Sequence, residues 1–389
     1  MNLLKQLVAI PVLAALLPAC SGHHDAGIAP LCAPMDSLLT TVFPSNTEPG
    51  AVVLVMKNDS TLYSRAFGLA RISEADTVPF TDSTLTNICS ISKQFAAVAM
   101  LKLAEQGKIL LDDPVSKYFP EFRAAFFDSI NIRHLLSHTS GLPDTRPRTP
   151  AEWEDYVRRH PDAPFAGLSD YKLHAQSQES VKYMEDLDSL AFAPGTAYEY
   201  QNPTFQLAEL IVERVTGEPF TAWMKREIFE PAGMRATVYF EPSDEADPRF
   251  AHAYSAPEST WVEDDYGETN FFPSKADGAI FTTPREFYSW LRAFFGGKIV
   301  GEESVRQAIT PVIASDIPGS SYGLGFFLEQ PEGRPLKVYH TGDNGGFFTY
   351  EAYYPEQGVA YMVFANRADW SREDMAAKID SILIANRVL

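Results

Sequence analysis

Ser90-Ile-Ser-Lys-Gln-Phe-Ala-Ala-Val-Ala-Met-Leu-Lys-Leu-Ala-Glu-Gln106 is the stretch on which the reading turns. From Phe95 to Gln106 it is dense in Ala, Leu, Met and Lys, and Gly107 stops the helix they predict. Ser90 and Lys93 stand at i and i+3 where that helix opens, a spacing that puts two side chains on one face. A serine hydroxyl is a poor nucleophile until a base takes its proton. A lysine can be that base only where burial or nearby cations lower its pKa. The helix N-terminus also aims backbone N–H groups at developing negative charge. Taken alone, the spacing is weak. A second copy, Ser169-Asp-Tyr-Lys172, follows Gly167 in a loop-like stretch with no sustained apolar helix behind it, and reads as chance.

Two further segments strengthen the first. Tyr200-Gln-Asn202, the one Tyr-x-Asn in the chain, follows the turn Pro194-Gly-Thr196 and precedes a helix over Leu207 to Val215. Its tyrosine can share protons with Ser90 and a leaving group, while Asn202 can orient a substrate carbonyl and hold Lys93. His340-Thr-Gly342 ends a strand at a sheet edge, where Gly342 lets a substrate backbone approach. The next N–H, on Asp343, can complete an oxyanion hole with that of Ser90. Without the first segment, each of these reads as an ordinary loop or turn.

The flanks set the architecture. Met35 to Phe43 has helical apolar spacing, and Ala51 to Met56 and Thr61 to Phe67 are strands joined at Asn58-Asp59-Ser60. Near the C-terminus Tyr322–Leu328, Leu336–His340, Phe347–Tyr354 and Val359–Phe364 are strand-like runs. Arg285 to Phe295 and Met375 to Leu383 are helices. Strands at both ends predict one antiparallel sheet built from both termini, an α+β fold with a helical middle over about 110–250 inserted in a domain of residues 35–389.

With these three segments in this order, the chain resembles the serine β-lactamase and DD-peptidase-like hydrolases, especially class C β-lactamases and related esterases and D-peptidases. The resemblance covers roughly everything after the N-terminal tether. Ile132-Arg-His-Leu-Leu-Ser-His-Thr-Ser-Gly141 and Tyr322-Gly-Leu-Gly325 also look familial. It implies Ser90 as nucleophile, Lys93 and Tyr200 as the proton-transfer pair, and Asn202 and His340 as substrate-facing groups. It further implies an antiparallel sheet flanked by terminal helices, with a helical subdomain. β-Lactamases usually carry Lys where this chain has His340, and a histidine is mostly uncharged at neutral pH. Esters, D-amino-acid peptides and β-lactams remain open as substrates. No metal or organic cofactor is needed, and no protein partner is evident.

Rival readings are weaker. Gly319-Ser-Ser-Tyr-Gly323 matches a nucleophile-elbow pattern but precedes a strand, not a helix. His134 and His138 stand four apart, yet no third metal ligand accompanies them. A silent binding protein that kept the fold would be expected to lose Ser90, Lys93 or Tyr200.

The chain has 389 residues, 45% of them hydrophobic, and a formal net charge of −19. That charge repels phosphate backbones and argues against nucleic-acid binding. Lys5 and an apolar run from Leu7 to Ala19 read as a signal segment (residues 1–19), too short to span a bilayer. Leu17-Pro-Ala-Cys20 resembles a bacterial lipobox, so Cys20 is expected to carry lipid at the head of a tether over 20–34. The expectation is a periplasmic or cell-surface lipoprotein. A bridge between the remaining Cys32 and Cys89 is not expected, and the fold must rest on its core.

Overall fold

Ala51-Val-Val-Leu-Val-Met56 alternates its side chains across the first strand, β1 (Ala51–Lys57). Val53 and Val55 join a core shared with the terminal helices, whereas Val52, Leu54 and Met56 enter the larger core on the opposite side. Burial on both faces is why the run is apolar throughout. β2 (Ser60–Phe67) forms the expected hairpin with β1, and Asn58 turns the corner at a φ of 51°. Asn tolerates that left-handed conformation better than most residues.

The computed structural model describes residues 29–389 apart from 73–76, 144–150, most of 152–183, 186, 242, 243, 245, 257, 258 and 265–274. The expected signal segment, Cys20 and the second Ser-x-x-Lys copy lie outside the described residues.

Helix α1 (Ala29–Val42) begins six residues before the expected domain boundary at 35, so the end of the expected tether is helical. Leu31, Met35, Leu39 and Phe43 recur every fourth residue and are all buried. This stripe packs on the sheet, and its packing outweighs the interruption from Pro34. The C-terminal helix, α7 (Arg372–Ala385), lies on the same face through Met375, Ile379 and Leu383.

A small second sheet anchors the start of the helix read first. It comprises β3 (Thr86–Asn87), β4 (Val238–Tyr239) and β5 (Ile280–Thr282), with β5 central. A single 3₁₀ turn, Cys89–Ile91, leads from β3 into α2 (Ser92–Glu105). Then come the short α3 (Ile132–Leu136), α4 (Asn202–Thr216), the one-turn α5 (Lys275–Gly278) and α6 (Pro284–Phe295). Helix α4 starts at Asn202, five residues earlier than the apolar pattern indicated, with Pro203 in its first turn where a missing N–H costs nothing.

The C-terminal strands are β6 (Ile313–Ala314), β7 (Ser320–Tyr322), β8 (Phe327–Glu329), β9 (Lys337–Asn344), β10 (Phe347–Tyr354) and β11 (Val359–Ala365). Among the described residues the main sheet runs β6-β7-β8-β9-β10-β11-β1-β2, antiparallel throughout, so both ends of the chain do build one sheet. The run expected as one strand over Tyr322–Leu328 is instead two strands joined at Gly323-Leu-Gly325. Gly325 has a φ of 83°, and a Cβ there would sit 2.7 Å from Ala97 Cβ. The turn therefore rests directly on α2. Ser321, the centre of the elbow-like pattern, lies within β7.

Strand β9 also runs further than expected, through His340-Thr-Gly-Asp-Asn344. Only Lys337, Val338 and Tyr339 pair with β8, while residues from Val338 to Asn344 pair with β10. Beyond Tyr339 one edge of an interior strand is thus open to something other than sheet, and the turn that holds Ser90 lies against it.

Candidate active site

The 3₁₀ turn sets Ser90 and Lys93 in register, because side chains at i and i+3 nearly eclipse in that geometry. Lys93 Nζ donates to Ser90 Oγ at 3.0 Å. The lysine is fully buried and the serine only partly so, leaving the hydroxyl at the edge of solvent. The backbone is bent to achieve this. Cys89 adopts a φ of 53°, and its N–H donates to the side chain of Asn87 at 2.6 Å. A non-glycine residue in this region carries local strain that its surroundings must hold. Cys89 itself is a free, buried thiol whose pKa burial drives well above the ordinary value, so it is inert beside the serine.

The amine of Lys93 is also held by a group the sequence reading did not find. It donates to the backbone carbonyl of Asp277, in α5, at 2.8 Å. The expectation that Asn202 holds Lys93 is corrected here: Asn202 Oδ1 is buried at the head of α4 and, among the described residues, accepts no hydrogen bond. Tyr200 does come to the lysine, with the ring centroid 5.0 Å from Nζ, and Phe205 lies behind it at 5.8 Å.

His138, set aside in the sequence as a metal ligand and part of the family-like stretch Ile132–Gly141, clamps the Tyr200 segment. Its carbonyl accepts the N–H of Glu199 at 3.0 Å and its Nδ1 accepts the N–H of Gln201, also at 3.0 Å. Its ring lies 4.2 Å from that of Tyr200, centroid to centroid. An accepting Nδ1 requires a neutral ring, and burial first, with Lys93 nearby, holds the His138 pKa well below its usual value. His134 is occupied in the same way, Nδ1 accepting the N–H of Asn131 at the start of α3.

The third segment is where the structure departs most from expectation. His340 was expected to face substrate. Its side chain is fully buried, Nδ1 donating to the Thr341 carbonyl at 2.7 Å and Nε2 lying 3.0 Å from the Tyr322 hydroxyl. With Nδ1 protonated, a neutral ring accepts at Nε2 from Tyr322. Burial first, and the charge of Lys93 second, lower the His340 pKa to about 3, so the ring is neutral and closed on the protein. Gly342 was expected to admit a substrate backbone. A Cβ there would instead lie 2.4 Å from the Ile88 carbonyl oxygen, 2.3 Å from Thr349 Oγ1 and 2.8 Å from Cys89 Cβ. Glycine is needed so that β9 can press against the turn bearing Ser90. Thr341 is partly buried and Asp343 exposed along this open edge. Arg372, at the start of α7, donates to the Gly342 carbonyl at 2.9 Å.

One buried acid lies directly beneath. Glu351, opposite His340 in the sheet, accepts from Gln94 Nε2 at 2.5 Å. Burial raises its pKa to about 8 against the opposing pull of that hydrogen bond.

Comparison with known proteins identifies the family. The chain belongs to the beta-lactamase family, whose model matches residues 35–384. It is similar to the D-alanyl-D-alanine-carboxypeptidase/endopeptidase AmpH of Escherichia coli K12, 25% identical over 87% of this chain and 84% of the relative. It is also similar to the esterase EstB of Burkholderia gladioli, 32% identical over 58% of this chain and 55% of that one. Among solved structures, the octameric penicillin-binding protein homologue from Pyrococcus abyssi superposes with a TM-score of 0.74 at 25% identity, covering 90% of this chain and 76% of that one. Within the family this chain is a serine hydrolase.

Proposed function

We propose that the chain cleaves small esters and D-amino-acid amides or peptides by way of an acyl-enzyme on Ser90. The observation that carries this is the buried Lys93 amine 3.0 Å from a partly exposed serine hydroxyl. Burial by itself disfavours the charged form of an amine, the direction a general base requires. Ser90 Oγ attacks the substrate carbonyl while Lys93 and Tyr200 relay its proton to the leaving group, which departs protonated. The N–H groups of Ser90 and Asp343 receive the negative charge on the carbonyl oxygen. Water then attacks the acyl carbonyl, and the same relay returns a proton to Ser90 as the acid is released.

The closed, neutral His340 supplies no fixed charge where β-lactamases usually have lysine. This supports substrates that need no carboxylate anchored there, ahead of β-lactams. The names of the relatives, an esterase and a D-alanyl-D-alanine-carboxypeptidase/endopeptidase, support the same two bond types. The test is a side-by-side assay of a p-nitrophenyl ester, a D-Ala-D-Ala peptide and nitrocefin. Ester or peptide turnover exceeding nitrocefin turnover is expected, and the reverse order defeats the substrate reading. Fluorophosphonate labelling tests the nucleophile. Ser90→Ala is expected to abolish labelling and to lower turnover by roughly 10⁴-fold or more. Equal labelling of Ser90→Ala and wild type overturns the assignment of Ser90, and no labelling of either points to a binding protein that kept the fold.

The apolar run Leu7–Ala19 followed by Cys20 supports export and lipid anchoring of the chain at a membrane surface. Metabolic labelling with palmitate that survives Cys20→Ser contradicts that anchoring.

A further inference from the structure

The carbonyl that holds Lys93 belongs to α5, a helix of only four residues, Lys275–Gly278. A single turn has no stability of its own. What aims the Asp277 carbonyl must come from the elements around it, and two buried side chains grip the turn at its ends. Glu209, in the middle of α4, accepts the N–H of Lys275 at 2.9 Å and of Ala276 at 3.0 Å, both on Oε2. A carboxyl oxygen that receives two backbone N–H groups satisfies donors that the start of a turn leaves unpaired. At the other end Asn344, the last residue of β9, donates Nδ2 to the Gly278 carbonyl at 2.9 Å. Just beyond the turn, the Ile280 N–H donates to Ser92 Oγ at 3.3 Å and the Ile280 carbonyl accepts the N–H of Ile88 at 2.9 Å. The segment that presents the Asp277 carbonyl is thereby tied to the segment that presents Ser90.

We propose that Glu209 and Asn344 are positioning residues for acyl transfer, gripping α5 from both ends so that its Asp277 carbonyl fixes the Lys93 amine against the Ser90 hydroxyl. This rests on the assignment of Ser90 and Lys93 above. Glu209 lies seven residues beyond Asn202 on α4, and Asn344 two beyond Gly342 on β9. The grip therefore couples the second and third segments of the site to the base of the first through a turn that carries no catalytic side chain.

The test uses the full chain with Glu209→Ala, Glu209→Gln, Asn344→Ala and Ser90→Ala. It reads kcat and KM for a p-nitrophenyl ester, the pH profile of fluorophosphonate labelling, and circular dichroism. Glu209→Ala is expected to lower kcat by about 10- to 100-fold with KM little changed, the scale of a misplaced catalytic group. Its labelling profile is expected to move its acid limb to lower pH, because an amine that loses an acceptor holds its proton less tightly. Glu209→Gln is expected to recover most of the rate, since one amide oxygen can receive both N–H groups. Asn344→Ala is expected to fall about 10-fold in the same direction. A folded Glu209→Ala with the wild-type pH profile, or a Gln variant as impaired as Ala, overturns the proposal. If Glu209→Ala does not fold, Asn344→Ala decides by the same profile. Labelling that persists in Ser90→Ala identifies the failure as that of the active-site assignment.

Discussion

Two buried lysines on opposite faces of the main sheet show how differently one side chain can be used. Lys337, on the face covered by the terminal helices, sits 2.7 Å from Asp380 of α7, under the rings of Tyr339, Tyr350 and Tyr361. The same Asp380 accepts the Tyr354 hydroxyl at 2.6 Å. A carboxylate partner and aromatic faces make that side chain part of the core. On the other face the hydrogen bonds from Lys93 to Ser90 and Asp277 go to neutral oxygens. One lysine is tied to a carboxylate in the core, and the other is held where it can exchange a proton with a hydroxyl.

The sharpest way to break the comparison is to delete each lysine. Lys93→Ala is expected to lower ester turnover by at least about 10³-fold. A smaller loss than in Asn202→Ala refutes the base assignment. Lys337→Ala is expected to leave kcat per folded molecule near wild type. It should lower stability by about 3 kcal/mol, because Asp380 is left without its counter-charge. Urea titration of both variants measures this, and a Lys337→Ala protein of normal stability removes the structural half of the contrast.

The face bearing Lys93 also holds titratable groups far from their ordinary ranges, and pH sharpens the contrast further. The folded pKa of Glu351, about 8, is above the unfolded value of roughly 4.3, so its contribution is complete below about pH 4 and is lost as pH rises through 8. Between pH 6 and 9 this amounts to about 3 kcal/mol. Glu351→Gln is expected to flatten that alkaline decline in the urea midpoint, and an unchanged slope means the carboxyl titrates normally. His340 works in the opposite sense. Its folded value of about 3 is below the unfolded value of roughly 6.5, so the neutral ring stabilises the fold above about pH 6.5 and that stability drains away as pH falls toward 3. Replacing His340 with Gln is expected to remove this acid decline while lowering stability at neutral pH by about 1 kcal/mol, because the variant also disturbs the bond to Tyr322.

Much of the site was legible because it is local. Ser90 and Lys93 are three residues apart on one helical start, and that spacing forces proximity whatever surrounds it. Apolar runs marked β1 and β11 nearly to the residue, since burial on both faces leaves few polar positions to confuse the pattern. The start of α1 was missed because prolines masked a buried stripe that begins at Leu31. Gly342 and Gly325 were seen as special, but their reason is contact with Cys89 and Ala97, residues hundreds of positions away. The Asp277 carbonyl was invisible, because a backbone oxygen carries no side-chain signature.

Taken by itself, the order of residues determined which hydroxyl and amine share a helical face, which runs become strands, and that the two ends meet in one sheet. These follow from short-range spacing and from the period of apolar side chains. Tertiary structure alone decided that His340 turns inward to Tyr322, and that a one-turn helix supplies the carbonyl behind Lys93. Such choices depend on which distant partner can satisfy a buried polar group, and that is settled only when segments far apart in the chain are packed together.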